Sequence, residues 1–441
     1  MNAMTLRRCH LFENLEKMSV PVFCAVALAL ATPVFADGLS SAEQAIVRHV
    51  DARREAAIEL LARSVNVASA TENHDGVRRI GELYAAELQA LGFETRWIDQ
   101  RAEVGRAGHL VAERRGTGGK RLLLIGHLDT VLQGEPFRRE GNRGHGSGAS
   151  DMKGGNAILI EALRALHAEG ALDNRQVIVI FTGDEEDTGK PYDVSRAALV
   201  EAAKRSDIAL AFEGYEPGTA VVGRRGFSSW HLEVTGSQGH SSTIFGDERG
   251  AGAIFEAARI LNAFYEQLRE PYLTFNPSVI VGGTDVTYDP ATFGGTAQGK
   301  TNVVPPRVVV EGDMRFLSRD QLNRAREKMR AIVAGNLPQA SASISFIDGM
   351  PSMEPTDGNR ALLAVIDQVS RDLGDGPIVA HDPSKRGAGD ISFVATLVSG
   401  LDGLGALGKQ EHAPGEYADL DTLPILTKRA ALLMYRLMWP Q

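Results

Sequence analysis

Val177-Ile-Val-Ile-Phe-Thr-Gly-Asp-Glu-Glu186 is an apolar run that ends, through a glycine, on an acidic doublet. A short continuous apolar run of this kind predicts a buried strand, and such a strand delivers Glu185 and Glu186 side by side to one edge of a sheet. One carboxylate can then hold a cation while its neighbour stays free to move protons. The flanking segments repeat the pattern. Arg121-Leu-Leu-Leu-Ile-Gly126 predicts a central strand, Gly154–Leu166 the helix after it, and Ile208–Phe212 a further strand. Upstream, Ser41–Val67 and Asp75–Leu91 carry helix-spaced apolar residues. Alternation of this kind predicts an α/β fold with a mostly parallel sheet, in which ligands bind beyond the carboxyl ends of the strands.

From about Gly226 the texture changes. Phe227–Val234 alternates as a strand with one exposed face, Arg249–Leu268 reads as a long helix, and Ser278–Val281 and Asn302–Val310 read as strands. Arg319–Ala334 is a second helix, followed by a strand at Ser341–Phe346. Together they predict a small α+β module inserted into the first domain. Helix and strand alternation resumes after Met350, through Asn359–Leu373 to a terminal helix Leu423–Leu437. The expected organisation is a leader at 1–36, a catalytic domain in two parts at 37–224 and 349–441, and an insert at 225–348.

With 441 residues, 43% of them hydrophobic, the chain can bury a large core. Its net charge of −9 argues against a nucleic-acid partner, because neutralising phosphates takes a concentrated basic surface; Arg224-Arg225 reads as a local feature. Arg7, Arg8 and Lys17 precede the apolar stretch Val20–Ala31, and Val34-Phe-Ala36 offers a cleavage site before Asp37, the pattern of a secretory signal. An uncleaved anchor, or a start at Met18, is the alternative. Nothing later approaches the roughly 20 apolar residues of a membrane span. Removing residues 1–36 takes away three basic and two acidic side chains, which moves the net charge from −9 to −10, and it removes both cysteines, Cys9 and Cys24. The mature chain is then expected in the periplasm or outside the cell, without disulfides.

Polar residues recur at the predicted strand ends. They are His127-Leu-Asp129, then Ser150-Asp151-Met-Lys-Gly-Gly155 opening a helix, Glu185-Glu186, Glu213, and Gly408-Lys-Gln-Glu-His412 near the C-terminus. Taken singly, each has a plain structural reading: His127 as a core histidine, Asp129 or Asp151 as a helix cap, the doublet as a solvated loop, and His412 as a loop residue. Asp184 and Asp187, beside the doublet, read as solvated. Taken together, two imidazoles and several carboxylates form a mixed nitrogen and oxygen set suited to zinc or a similar divalent ion. Two ions sharing a carboxylate, about 3.5 Å apart, would use all of them. Gly154-Gly155 lacks the spacing of a nucleotide loop and lets a helix begin close to the metal.

The motifs His127-Leu-Asp-Thr130, Gly148-Ala-Ser-Asp-Met-Lys-Gly-Gly155, Asp184-Glu-Glu186 and Glu411-His412 with Glu416-Tyr417 resemble, in order and context, those of the co-catalytic dizinc exopeptidases and deacylases. That family includes glutamate carboxypeptidase, acetylornithine deacetylase and aminoacylase, and the resemblance spans essentially the whole mature chain. It implies a parallel-sheet dizinc exopeptidase catalytic domain with an inserted lid, or dimerisation, domain. It also implies two zinc ions per subunit, with cobalt or manganese suited to the same ligands. Asp151 would bridge the ions, His127 and Glu213 would complete one site, and Glu186 and His412 the other. Glu185 would be the general base acting on a metal-bridging hydroxide, and Asp129 would accept the second imidazole N–H of His127. A glutamate at 213 resembles the carboxypeptidase and dipeptidase members.

In the insert, Gly236-Ser-Gln-Gly-His240 resembles the lid histidine that reaches a neighbouring subunit's active site and stabilises the oxyanion. Asn302 and Arg315 match substrate-contact positions, and a guanidinium can fork onto a terminal carboxylate; the plain reading of Arg315 is a strand-edge salt bridge. Arg386-Gly-Ala-Gly389-Asp390 resembles the glycine-rich pocket loop. The implied activity is hydrolysis of an amide or peptide bond that releases a C-terminal amino acid such as glutamate, with an N-acyl-amino-acid amidohydrolase or dipeptidase as the alternative. The implied partners are a small peptide or N-acyl amino acid and a second copy of the chain, with no nucleic acid and no membrane after signal cleavage.

Overall fold

A computed structural model of the chain describes residues 38–439; the predicted leader, with Cys9 and Cys24, lies outside them. The strand of the acidic doublet, Arg175–Thr182, sits inside a six-stranded sheet. Across that sheet the order is Glu94–Gln100, Arg106–Arg114, Arg175–Thr182, Gly118–His127, Ile208–Ala211 and Ser399–Leu401. The last four run parallel, while Arg106–Arg114 is antiparallel to both of its neighbours. The sheet is therefore mostly parallel, as its apolar strands predict: Val177–Phe181 and Leu122–Leu124 are fully buried, the pattern of strands covered on both faces. The first two strands of the order were not apparent from the sequence.

Register decides what meets at the strand ends. His127 is level with Thr182, and Ile125 is level with Ala211, so His127 and Glu213 lie side by side two residues further on. The helix Lys153–Ala168 is buried along most of its length. Its start needs glycine: a Cβ on Gly155 would lie 2.0 Å from the carbonyl oxygen of Phe212, the residue before Glu213. The glycine pair thus brings the Asp151 turn against the end of the neighbouring strand, as its sequence suggests.

A second, antiparallel sheet gathers Thr274–Gly283, Arg307–Phe316, Gly226–Gly236 and Ala340–Asp348, in that order. Helices Gly252–Gln267 and Arg319–Ala334 supply one side of its core, with Ile260, Phe264 and Met329 packed near Trp230, Leu232 and Val310. This is the α+β arrangement expected of the insert. The expected strand Asn302–Val310 is broken: Val303–Val304 pairs with Gly239–His240, and the longer strand starts at Arg307. Pro305-Pro306 between them has no N–H to give to a ladder. The hairpin Asp285–Asp289 with Gly294–Gln298 was not foreseen.

The single helix expected over Ser41–Val67 is two, Ser41–Ala52 and Arg54–Val65, separated at Arg53. Arg53 leaves helical geometry and reaches Glu161 on the buried helix, at 2.7 and 3.0 Å. At the start of the first helix, Ser40 and Glu43 form a capping box, and the fully buried Glu43 pairs with Arg436 of the terminal helix at 2.6 Å. Burial raises the Glu43 pKa, but the bonds from Arg436 and Ser40 outweigh it and hold the carboxyl below its ordinary 4.5. Because the folded value lies below the unfolded one, this stabilisation is complete above the unfolded value and is lost as pH falls through the folded one. Glu43→Gln is therefore expected to cost up to about 3 kcal/mol at neutral pH. The gap from the parent should shrink in acid; an equal gap in acid and at neutral pH, in denaturant titrations, would contradict the assignment. No helix among the described residues is long and apolar enough to cross a membrane.

Candidate metal centre

The five expected ligands converge. His127, Asp151 and Glu213 form one group, and Asp151, Glu186 and His412 another, with the ligand atoms of each group within 4.8 Å of one another. Asp151 belongs to both. Its Oδ1 lies 3.1 Å from His127 Nε2 and its Oδ2 3.1 Å from His412 Nε2. Glu213 Oε1 stands 3.8 Å from His127 Nε2, and Glu186 Oε2 3.1 Å from His412 Nε2. His412 adopts a left-handed φ of 60°, a conformation that costs a non-glycine residue on the order of 1 kcal/mol and here aims the ring at Asp151 and Glu186.

These groups sit poorly together without a cation. Burial, and then the charge of Asp151, push the Glu213 carboxyl up to about 8. Burial and Glu213 raise Glu185 well above the ordinary range, and burial raises Glu186. His412, hydrogen-bonded to Asp151 and Glu186, is pushed up to about 11. Asp151 is held low: burial raises it, but both imidazoles outweigh that. Glu186 Oε1 is buried with no hydrogen-bond partner among the described residues, a cost that proteins rarely leave uncompensated. A divalent ion answers the raised carboxylates and the orphaned oxygen, since it supplies positive charge and a partner, and it would take the place of the imidazole protons that otherwise pair with Asp151 and Glu186. The donor set therefore fits divalent metal ions.

Glu185 belongs to neither group. Among the described residues no ion pair or hydrogen bond takes up its carboxylate, and only its backbone is engaged: its N–H donates to Asp129 Oδ1 at 3.1 Å. The Glu186 N–H donates to Asp129 Oδ2, also at 3.1 Å, and the Thr71 hydroxyl donates to the same oxygen at 2.8 Å. Asp129 thus holds the doublet by its backbone. The expected contact of its carboxylate with the His127 ring is the longer one, 3.5 Å; His127 Nδ1 lies 3.0 Å from the Asp129 carbonyl oxygen, which fixes the tautomer equally well. Asp129→Ala should lower activity about 10- to 100-fold and weaken metal retention, read by dialysis against a mild chelator; unchanged retention would contradict this.

Other supporting residues were only partly legible. Glu416 accepts the N–H groups of Gly148, Ser150 and Asp151 at 2.7, 2.8 and 2.9 Å, and so shapes the Asp151 turn. Glu411 takes the Ser150 hydroxyl at 3.2 Å and joins neither ligand group. Asp184 is not solvated: it is fully buried against Arg196, whereas Asp187 is exposed and pairs with Arg106. Arg224, of the basic pair read as a local feature, is buried and paired with Asp402. It also packs where a Cβ on Gly389 would lie, 2.5 Å from its Nη1. A long-range ion pair leaves no local pattern in sequence.

The insert residues stay outside the cluster. Arg315 pairs with Asp313 at 3.1 Å and lies over the Phe227 ring; this is the salt bridge of its plain reading, though on an inner strand with neighbours on both sides rather than at an edge. His240 is exposed, with Nδ1 2.8 Å from the Ser242 hydroxyl, and the Asn302 carbonyl accepts the Ser241 N–H. Among the described residues none of the three makes a hydrogen bond or ion pair with a candidate ligand residue of its own chain.

Comparison with known proteins agrees with this geometry. Carboxypeptidase G2 of Pseudomonas sp. (strain RS-16) is 27% identical over 427 residues, 93% of this chain and 96% of that protein. Succinyl-diaminopimelate desuccinylase of Alkalilimnicola ehrlichii is 28% identical over 369 residues, 78% of this chain and 90% of that protein. Among solved structures, aminopeptidase PepT of Bacillus cereus superposes with a TM-score of 0.68 at 18% identity, covering 87% of this chain and 98% of that one. A protein of Bacillus subtilis described as a dinuclear metal-binding peptidase superposes with a TM-score of 0.60 at 17% identity, over 88% and 99% of the two chains. The family model described as Peptidase family M20/M25/M40 matches residues 123–436, a span that contains all five candidate ligands and Glu185. The chain therefore belongs to peptidase family M20/M25/M40 and is an enzyme of the metallopeptidase and amidohydrolase type.

Proposed function

We propose that the protein releases a C-terminal amino acid from a peptidyl or N-acyl donor, in the manner of a carboxypeptidase. The observation that carries this reading is the pair of ligand groups sharing Asp151 beside a carboxylate, Glu185, that neither group uses. His127, Asp151 and Glu213 would hold one divalent ion, and Asp151, Glu186 and His412 the other, zinc being the expected metal and cobalt or manganese suited to the same donors. When bound, the ions polarise the scissile carbonyl and acidify the attacking water.

Glu185 does the proton work. As water adds to the carbonyl carbon, the Glu185 carboxylate takes one of its protons; the C–N bond then breaks and the same proton passes to the leaving nitrogen. Burial and the neighbouring carboxylates raise its proton affinity, which suits a group that must hold a proton between the two steps. The match to carboxypeptidase G2 over 93% of the chain supports release of a C-terminal residue. The desuccinylase relatives favour a second reading, an N-acyl-amino-acid amidohydrolase on the same centre. His240 is proposed to stabilise the oxyanion, and Asn302, Arg315 and the Gly389 loop are proposed as substrate contacts. His240 and Arg315 would need the insert, residues 225–348, to close or a second subunit to approach, so a homodimer is part of the proposal, as is export by residues 1–36.

The test is a hydrolysis screen of metal-loaded protein against N-acyl amino acids, amine-blocked peptides and free dipeptides, varying the C-terminal residue. Release of the C-terminal residue from amine-blocked substrates is expected. Activity confined to free-amine dipeptides would overturn the carboxypeptidase reading.

A further inference from the structure

Beneath the acidic doublet lies a charged cluster that the ligand geometry does not use. Arg196 is 1% exposed, yet every N–H of its guanidinium has an acceptor. Nε donates to Asp390 Oδ1 at 2.7 Å. Nη1 donates to Asp184 Oδ1 at 2.5 Å and to the Ser195 hydroxyl at 2.6 Å. Nη2 donates to the Asp184 carbonyl and to the Thr188 hydroxyl oxygen, each at 3.1 Å. The Thr188 hydroxyl in turn donates to the Glu185 carbonyl at 3.3 Å, and Asp184 Oδ2 accepts the Gly189 N–H at 2.9 Å.

The turn carrying Glu185 is therefore gripped from both sides. Asp129 holds the amides of residues 185 and 186, and Arg196 holds residues 184 and 188. Through Asp390 the same guanidinium reaches the residue after Gly389, in a segment that follows the insert. Asp390 is fixed in addition by the Thr182 hydroxyl at the end of the doublet strand.

Stability alone is a weak reason for such a cluster. One cation with two carboxylates, all buried, must be stripped of water, and apolar residues of similar volume often serve a fold as well or better. What apolar residues cannot do is fix the turn in direction and distance, which a planar fork with five donors does. We propose that Arg196 is a positioning residue for hydrolysis, one that sets the Glu185 carboxylate against the loop of residues 386–390. The proposal rests on the reading of Glu185 as the proton-transfer group.

Displacing a reacting group by about 1 Å can cost about 100-fold in rate. Arg196→Met is accordingly expected to lower kcat about 100-fold, with KM within about threefold and two metal ions per chain retained. Arg196→Lys keeps the charge but not the fork; it should melt close to the parent and recover only part of kcat, and it serves if the methionine variant does not fold. The decisive measurement is a cycle with Glu185→Gln, in single-turnover assays on the most reactive substrate of the screen. If Arg196 acts through Glu185, either Arg196 change should alter the Glu185→Gln rate less than about threefold. Equal losses in both backgrounds, or an Arg196 variant with full kcat, would overturn the positioning role while leaving Glu185 as the base. Undiminished hydrolysis by Glu185→Gln alone would overturn both.

Discussion

Replacing Glu185 by glutamine should lower kcat by about three orders of magnitude, with metal content, KM and melting temperature near those of the parent. The amide matches the carboxylate in size but cannot take a proton. The side chain enters neither ligand group, so both sets of donors persist. Its place is held through backbone bonds to Asp129, which the substitution leaves alone. Removing this half-buried carboxylate also relieves repulsion, since Glu185 lies in the field of Glu213; the metal-free variant should be no less stable than the metal-free parent. A kcat within about tenfold of the parent would remove Glu185 from proton transfer.

Asp151→Ala should be the more severe change. Asp151 is the one residue common to both groups, with one oxygen toward His127 and the other toward His412. Its loss should abolish tight binding at both positions and lower activity about 10⁴-fold or more, the loss expected when several kcal/mol of metal assistance disappear. The contrast with thermal stability is informative. Saturating zinc should raise the unfolding free energy of the parent by about 3 kcal/mol per site, about 5 kcal/mol for two, at a hundredfold excess over Kd and leave the melting temperature of Asp151→Ala almost unmoved. Glu213→Gln, which alters one group only, should retain a metal-dependent shift. Equal shifts in the parent and Asp151→Ala, by differential scanning fluorimetry, would show that Asp151 does not bridge.

How much of this was legible in the sequence follows a physical line. The doublet strand, the strand before His127 and the turn at Asp151 were legible because each is local: an apolar run, a glycine and an acid within ten residues. A parallel sheet then gathers such ends at one edge, which brings His127, Glu186 and Glu213 together. Asp151 and His412 follow short strands of a separate antiparallel sheet, and their place in the set was legible from their residue types and motifs rather than from the parallel strands. The supports of the site were not legible. Arg196 and Asp390 are separated by 194 positions, and the three amides that Glu416 accepts are more than 260 positions away from it. Charge alone mislabelled Asp184 as solvated, because an acidic letter carries no sign of a buried partner. Arg315 was a matter of reach: its guanidinium has Asp313 two residues away on its own strand, and nothing in its motif distinguishes that neighbour from a substrate carboxylate.

Metal stoichiometry tests the central claim most directly. Chelator-stripped protein titrated with zinc in a calorimeter should take up two tight equivalents per chain, Asp151→Ala none, and Glu185→Gln two. One equivalent or none in the parent, or two retained by Asp151→Ala, would contradict a centre in which Asp151 joins two ions and Glu185 is left free.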